Sequence, residues 1–356
     1  MTRAPAHSSP ATVADARAPT TLSELTSSSR RLALVGLAKN TGKTVALMAL
    51  LRELEAQGRT VGVTSVGRDG EERDVIDARI EKPRVQLAAG SLVATTDGLL
   101  RASGIEHELL EEPGIRTPLG RVLIARLRAA GTIEVAGPSA AADVRGVSYA
   151  MLSHGAERVL IDGAVDRRAA SSPEVSDGLV VATGAVLDRD LEQVVAQTRD
   201  AIELVRLPAV DGELAGALEE ELLELPPRFA LAAEPEQIAR LLREHPDARW
   251  LPLAGALPER FLEALVQPLR LLGRELTVVV ADPTHAFLAR HPPAWYARQG
   301  IHLRTRERIR LQALTVNPLA PQSHRFGSAQ LRARLEHALP DLPVFDVLDP
   351  AYAAQA

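Results

Sequence analysis

Arg31-Leu32-Ala33-Leu34-Val35 reads as a short apolar strand, and Val45 to Gln57, rich in Ala, Leu and Met, reads as a helix that stops at Gly58. Between them lies Gly36-Leu37-Ala38-Lys39-Asn40-Thr41-Gly42-Lys43-Thr44, a loop with a glycine at its start and another just before its end. A buried strand that turns at once into a helix leaves few folds open. The strand aims the chain at a tight turn, and the glycines let successive backbone N–H groups curl around one point. The helix adds its positive N-terminal end to that same point. The expected fold class is therefore α/β, a mostly parallel sheet flanked by helices.

Such a point holds an anion, and Gly-Lys-Thr names the anion as a nucleotide phosphate. Lys43 would reach the β- and γ-phosphates and Thr44 would hold Mg²⁺. The expected nucleotide contacts are Gly36, Lys39, Asn40, Thr41, Gly42, Lys43, Thr44 and Val45. The usual spacing would need glycine at position 37, which is Leu37, and the loop carries a second lysine, Lys39. That arrangement resembles the deviant loops of the dimer-forming P-loop class, which includes nitrogenase iron protein, the MinD/ParA ATPases, dethiobiotin synthetase and the cobyric acid synthases. The resemblance implies ATP, Mg²⁺ and a homodimer. In the MinD/ParA branch an early lysine reaches the partner's nucleotide; it would align with Ala38, one residue before Lys39. Lys39 would act either across a dimer or on its own subunit's phosphates. Asn40 stands where most of those relatives have glycine.

A phosphate loop needs carboxylates near it, because Mg²⁺ demands oxygen ligands and hydrolysis needs an oriented water. Asp162 follows the buried run Val159-Leu160-Ile161 and precedes Gly163, which suits a carboxylate on the Mg²⁺ side. Asp69 follows the second strand, Thr60 to Val66, and would position water or approach the metal, with Glu71, Glu72 and Asp74 competing for that role. Lys43, Lys39, Asp69 and Asp162 are thus the expected catalytic residues, and Thr44, Asp69 and Asp162 the expected metal side. Asp166-Arg167-Arg168 and Ser171-Ser172 fall just after the Asp162 turn, at the sheet edge where open α/β folds bind ligands. Thr183-Gly184 points to the same rim, toward a nucleotide base.

Elsewhere the sequence organises the chain. Residues 1–29, rich in Ala, Pro, Ser and Thr and without a continuous apolar stretch, are expected to be a disordered tail. Residues 30–207 would form the nucleotide domain and 208–356 a smaller α/β module. Expected helical stretches lie at Gly104–Glu111, Asp143–His154 and Leu187–Ile202, with Leu119–Ala130 an apolar repeat broken by arginines. Expected strands include Thr132–Ala136, Leu179–Thr183 and Glu203–Val205. In the module, strands are expected at Phe229–Leu231, Trp250–Leu253, Leu276–Val280, Arg310–Val316 and Val344–Asp346. Ala94–Gly98, Gly114–Gly120 and Ala136–Ser139 read as turns. Asp282 would cap the element that follows it, and Thr315–Pro318 would line a pocket or interface.

Composition closes off other classes. There is no cysteine, so disulfides, thiolate metal sites and Cys nucleophiles are excluded. The formal charge of −5 and the lack of a basic patch give no reason to expect nucleic acid. No run of 18 apolar residues exists, so no membrane span is expected and the cytoplasm is the default.

Leu34 to Thr44, Gly114 to Gly120, and Ile161-Asp162-Gly163-Ala164-Val165-Asp166-Arg167-Arg168 running to Ser172-Pro173 together resemble a narrower family. It is the ATP-binding component associated with lysine 5,6-aminomutase and its reactivation. The resemblance, over about residues 30–346, implies an ATP-dependent helper that opens an adenosylcobalamin-dependent aminomutase to release inactive corrinoid. No Asp-x-His-x-x-Gly motif is present, so the chain need not carry cobalamin itself. The alternative is an ATP-dependent ligase of a small carboxylate, like dethiobiotin synthetase.

Overall fold

The central strands are short, largely apolar runs that are buried along their whole length. That pattern is what a parallel sheet covered by helices on both faces requires. The computed structural model describes residues 21–67, 84–164, 168–217, 219–226, 228–232, 234–321 and 324–353. In chain order it begins with α1 (Leu22–Leu25), β1 (Arg31–Gly36), α2 (Lys43–Ala56), β2 (Val61–Ser65), β3 (Val85–Leu87), β4 (Leu92–Thr96), α3 (Asp97–Ala102) and β5 (His107–Glu111). Then come β6 (Arg116–Thr117), β7 (Gly120–Leu127), β8 (Gly131–Ile133), α4 (Ala141–Ser153), β9 (Arg158–Ala164), β10 (Gly178–Gly184) and α5 (Leu191–Val205).

A second group follows, α6 (Phe229–Ala232), α7 (Pro235–Glu244), β11 (Trp250–Pro252), β12 (Leu257–Pro258), α8 (Glu259–Leu272), β13 (Leu276–Val280), β14 (Ala286–Phe287), α9 (Pro293–Ala297) and β15 (Ile301–Thr305). Last are β16 (Leu311–Asn317), α10 (Ser328–Ala338), β17 (Val344–Phe345) and α11 (Pro350–Ala353).

The central sheet runs β17-β16-β10-β1-β9-β2-β4-β7-β5, with β6 paired to β7. Neighbours are parallel from β17 to β4, and β7 is antiparallel to both β4 and β5. Alternate residues of β1 enter opposite cores, as a strand's two-residue period dictates. Ala33 and Val35 join Val147, Met151 and Leu335, from α4 and α10. Leu32 and Leu34 join Leu47, Leu50 and Leu54 of α2. The second group has its own three-stranded parallel sheet, β11-β13-β15, and its own core around Leu242, Leu265 and Val278. Among the described residues no helix is long and apolar enough to cross a membrane.

Several expectations are corrected. Residues 21–29, assigned to a disordered tail, include α1, whose Leu22 is buried and whose Ser23 N–H donates to Glu53 of α2 at 2.7 Å. Gly104–Glu111 is not helical, and Leu119–Ala130 lies largely in β7. These segments complete the sheet as antiparallel strands, with Val122 and Ile124 facing one core and Ala125 and Leu127 the other. Glu203–Val205 continues α5, whose Val194, Thr198 and Ile202 repeat at every fourth residue, and Phe229–Leu231 is helical. Ala94–Thr96 is strand and Asp97–Gly98 opens α3, so that segment is no free turn. The smaller unit ends before residue 310. β16 pairs with β10 and β17 with β16, so 311–353 belongs to the central sheet, and the unit is an insertion between α5 and β16.

Candidate functional site

β1 delivers Gly36 to the C-terminal edge of the sheet, and the loop folds back over it. A Cβ on Gly36 would stand 2.4 Å from Thr41 Oγ1 and 3.1 Å from the Ala38 carbonyl oxygen, so only glycine fits under this turn. Leu37 N–H donates to Ala182 O of β10 at 2.9 Å, and Thr41 Oγ1 donates to Ala38 O at 3.0 Å. Asn40 (φ 68°) and Gly42 (φ 86°) both take the left-handed conformation. Asn40 therefore does a glycine's work, which asparagine tolerates better than most residues. Among the described residues none accepts a hydrogen bond from the N–H groups of Ala38 to Gly42, and α2 starts without a side-chain cap. Open donors and the positive end of a four-turn helix converge on one spot.

The structure brings Lys43 and Asp162 together. Lys43 Nζ forms an ion pair with Asp162 Oδ1, and the two side chains are 21% and 23% exposed. Register explains the meeting: β9 neighbours β1 with Leu34 opposite Asp162, and it also neighbours β2 with Ser65 opposite Asp162. β9 runs on to Ala164, so Asp162 sits within the strand instead of closing it. Thr44 and Val45 form the first turn of α2 beside Lys43 and are half-buried. Lys39 is exposed, with no hydrogen-bond or ion-pair partner among the described residues. Asp69, Glu71, Glu72 and Asp74, together with Asp166 and Arg167, lie outside the described residues.

One residue at the site carries more than its sequence suggested. Asn317, the last residue of β16, donates from Nδ2 to Asn40 O at 3.1 Å and accepts from Leu319 N–H through Oδ1 at 3.1 Å. A Cβ on Gly42 would come within 2.9 Å of Asn317 Cβ, and one on Gly184 within 2.2 Å of Asn317 O. Asn317 thus clamps the loop from the side. The sequence signal was only a polar residue ending an apolar strand, Thr-Val-Asn-Pro. Thr183, expected at the rim, is instead fully buried and hydrogen-bonds Thr198 of α5 at 2.7 Å. The Gly114–Gly120 segment is a hairpin onto α3, with Arg121 N–H donating to Asp97 Oδ1 at 3.3 Å. Gly137 N–H donates to Ser65 Oγ at 3.0 Å, which locks 135–138 across the end of β2.

Ser172 reaches the inserted unit. Its hydroxyl donates to Asp282 Oδ2 at 3.2 Å, while Asp282 Oδ1 accepts from Thr284 N–H at 2.7 Å and so caps the short turn Pro283–His285. His285 Nδ1 stands 3.5 Å from Asp282 Oδ1. Burial alone would raise the Asp282 carboxyl, but the His285 imidazole beside it and the hydrogen bonds from Thr284 outweigh it and hold it below its ordinary value. The same contact with Asp282 holds the His285 imidazole above its ordinary value, against the opposing effect of burial.

Chemically, the spot offers N–H donors and an ammonium for an anion, and the Thr44 hydroxyl and Asp162 carboxylate as oxygen groups for a hard cation. Among the described residues no group of three or more His, Cys, Asp or Glu could enclose a metal. A cation here would draw its remaining ligands from phosphate and water, which is how Mg²⁺ is commonly held; the residues present fit Mg²⁺ with a nucleotide. No family model matches this chain, and no curated protein or solved structure matches it either.

Proposed function

We propose that this chain is a cytoplasmic, Mg²⁺-dependent ATPase that binds nucleotide at residues 36–45 and serves to reactivate an adenosylcobalamin-dependent aminomutase. The observation that carries the ATPase reading is the meeting of Lys43, at the head of α2, with Asp162 on the adjacent strand, beneath a loop of open N–H donors. Those donors would hold the β-phosphate, and Lys43 would exchange Asp162 for β- and γ-phosphate oxygens. Thr44 and Asp162 would hold Mg²⁺, which when bound neutralises charge on the phosphates. Asp69 would orient the attacking water. Lys39, exposed on the loop, would supply further positive charge, to its own nucleotide or to that of a second copy in a homodimer.

The helper role rests on the resemblance of the loop, of Gly114–Gly120 and of the Ile161–Ser172 stretch to the aminomutase-associated ATPase component. Loops ordered around a γ-phosphate present one surface to a partner enzyme and relax on hydrolysis. The test is ATP turnover with and without an adenosylcobalamin-dependent aminomutase inactivated by loss of its adenosyl group. A helper turns over faster with that enzyme and restores its activity. Phosphate release that tracks modification of a small carboxylate, with no response to any corrinoid enzyme, refutes the helper role and establishes a ligase.

A further inference from the structure

A cavity of about 260 Å³ lies between the central sheet and the inserted unit, on the face opposite α2. Its sheet wall is Val35, Leu37, Leu179 and Val181, and its floor is Ala201, Leu204 and Val205 of α5. The inserted unit forms the facing wall with Pro283, Leu288, Pro292 and Pro293, Ile309 comes from the chain returning to β16, and one side stays open to solvent. The lining is overwhelmingly hydrocarbon. The charged side chains at its rim are spent elsewhere: Asp200 pairs with Arg199 at 3.3 Å, and Arg290 with Glu263 at 3.1 Å. Thr284 is committed to Asp282, which leaves the Ser171 hydroxyl as the polar group on the sheet side. His291 adds a flat aromatic edge, its ring stacked on Trp295 with centroids 3.9 Å apart.

We propose that this cavity binds a small, neutral, bicyclic aromatic molecule with one N–H or O–H group. An apolar cavity of about 150 Å³ takes benzene and stays dry without it, so about 260 Å³ has room for a fused second ring. A charged ligand finds no unspent counter-charge here, and burying it unpaired would cost more than the contacts return. One hydroxyl, from Ser171, matches one polar group on the ligand. The occupant touches Leu37 at the head of the glycine loop and Ser171 in the turn after Asp162. Binding here does not rest on the nucleotide reading: neither Lys43 nor Asp162 lines the cavity, and of the glycine loop Leu37 alone does.

Indole is the probe. Titrated into the full chain without nucleotide, it is expected to bind one to one with a sub-millimolar Kd. Methyl-labelled NMR should show shifts confined to the methyls that line the cavity, those of Val35, Leu37, Val181, Leu204, Leu288 and Ile309 among them. Ala201→Phe fills the floor and is expected to weaken indole at least about tenfold, a change of about 1.4 kcal/mol. Leu204→Ala enlarges the cavity and is expected to admit 2-naphthol more tightly than the wild type does. Absence of saturable binding to the wild type overturns the proposal, as do methyl shifts scattered outside the cavity. Undiminished indole binding to a folded Ala201→Phe variant does so too. Should that variant fail to fold, the wild-type methyl shifts and the Leu204→Ala response decide the matter.

Discussion

Replacing Lys43 with alanine separates what the ion pair does for the fold from what the ammonium would do for the proposed nucleotide. Lys43 Nζ and Asp162 Oδ1 satisfy each other, and both side chains retain about a fifth of their exposure. A charge-assisted hydrogen bond of this sort is worth about 1.5–3 kcal/mol when buried, and partial solvation brings it to about 1–2 kcal/mol. Lys43→Ala should therefore lower the free energy of unfolding in urea by about 1–2 kcal/mol. Alanine is a good helix former, so α2 itself loses nothing. Asp162→Asn removes the stranded charge, and the double variant should be less destabilised than the sum of the single variants by about 1 kcal/mol. Calorimetry with Mg·ATP supplies the second arm: Lys43→Ala should weaken binding at least about a hundredfold, whereas Asp162→Asn should keep most of the affinity and lose turnover. Additivity of the two substitutions within about 0.3 kcal/mol refutes the pair as an energetic unit, and unchanged ATP affinity in Lys43→Ala refutes the loop as a phosphate site.

Three further substitutions test other parts of the same reasoning. Asn317→Ala removes the Nδ2 bond to Asn40 O and should weaken Mg·ATP binding about five- to tenfold, with little change in melting temperature; unchanged affinity would show that the loop needs no lateral clamp. Tyr352 donates its hydroxyl to Glu53, which is 1% exposed, and accepts from Leu22 N–H at 3.1 Å, so Tyr352→Phe leaves a buried carboxylate short of a donor. Chemical denaturation should show a loss of about 1–3 kcal/mol, and a loss under about 0.5 kcal/mol would mean the contact is dispensable. His285 has its folded pKa raised above 6.5 by Asp282, so its stabilising effect is complete below pH 6.5 and fades as pH rises through the folded value. His285→Gln should thus cost more stability at pH 6 than at pH 9, where Asp282 is ionised throughout; an equal cost at both would place the effect in packing.

The glycine loop was legible because three local signals coincide there: an apolar strand, a glycine pair with lysine, and a helix rich in Ala, Leu and Met. Each depends only on neighbours in sequence. Asp162 was legible for the same reason, although its pairing with Lys43 follows from β9 lying next to β1, which spacing alone does not fix. The arginine-bearing repeat at 119–130 did not read as a strand because β7 sends side chains into both cores, which blurs the two-residue alternation that marks a half-exposed strand. Asn317 was found only as a candidate pocket residue, since its partner Asn40 lies 277 positions away. The true extent of the inserted unit was hidden for a related reason. β16 looks like any other strand after residue 208, and only its pairing with β10 returns it to the central sheet.

That insertion has a mechanical consequence. The inserted unit leaves the chain after α5 and returns it at Ile309, so it hangs from the elements on either side of the β10–β16 pair. The same two strands hold the glycine loop: Ala182 of β10 accepts from Leu37 N–H, and Asn317 of β16 clamps Asn40 and Gly42. The unit also touches the turn after Asp162 through the hydrogen bond from Ser172 to Asp282. Parallel strands in register do not slide freely, because a one-residue shift would turn every buried side chain to the opposite core. A displacement of the inserted unit is therefore absorbed less by the sheet than by α5, the 168–172 turn and the cavity lining beside Leu37. The same parts, α5, the turn at Ser171 and the residues beside Leu37, are also walls of the apolar cavity.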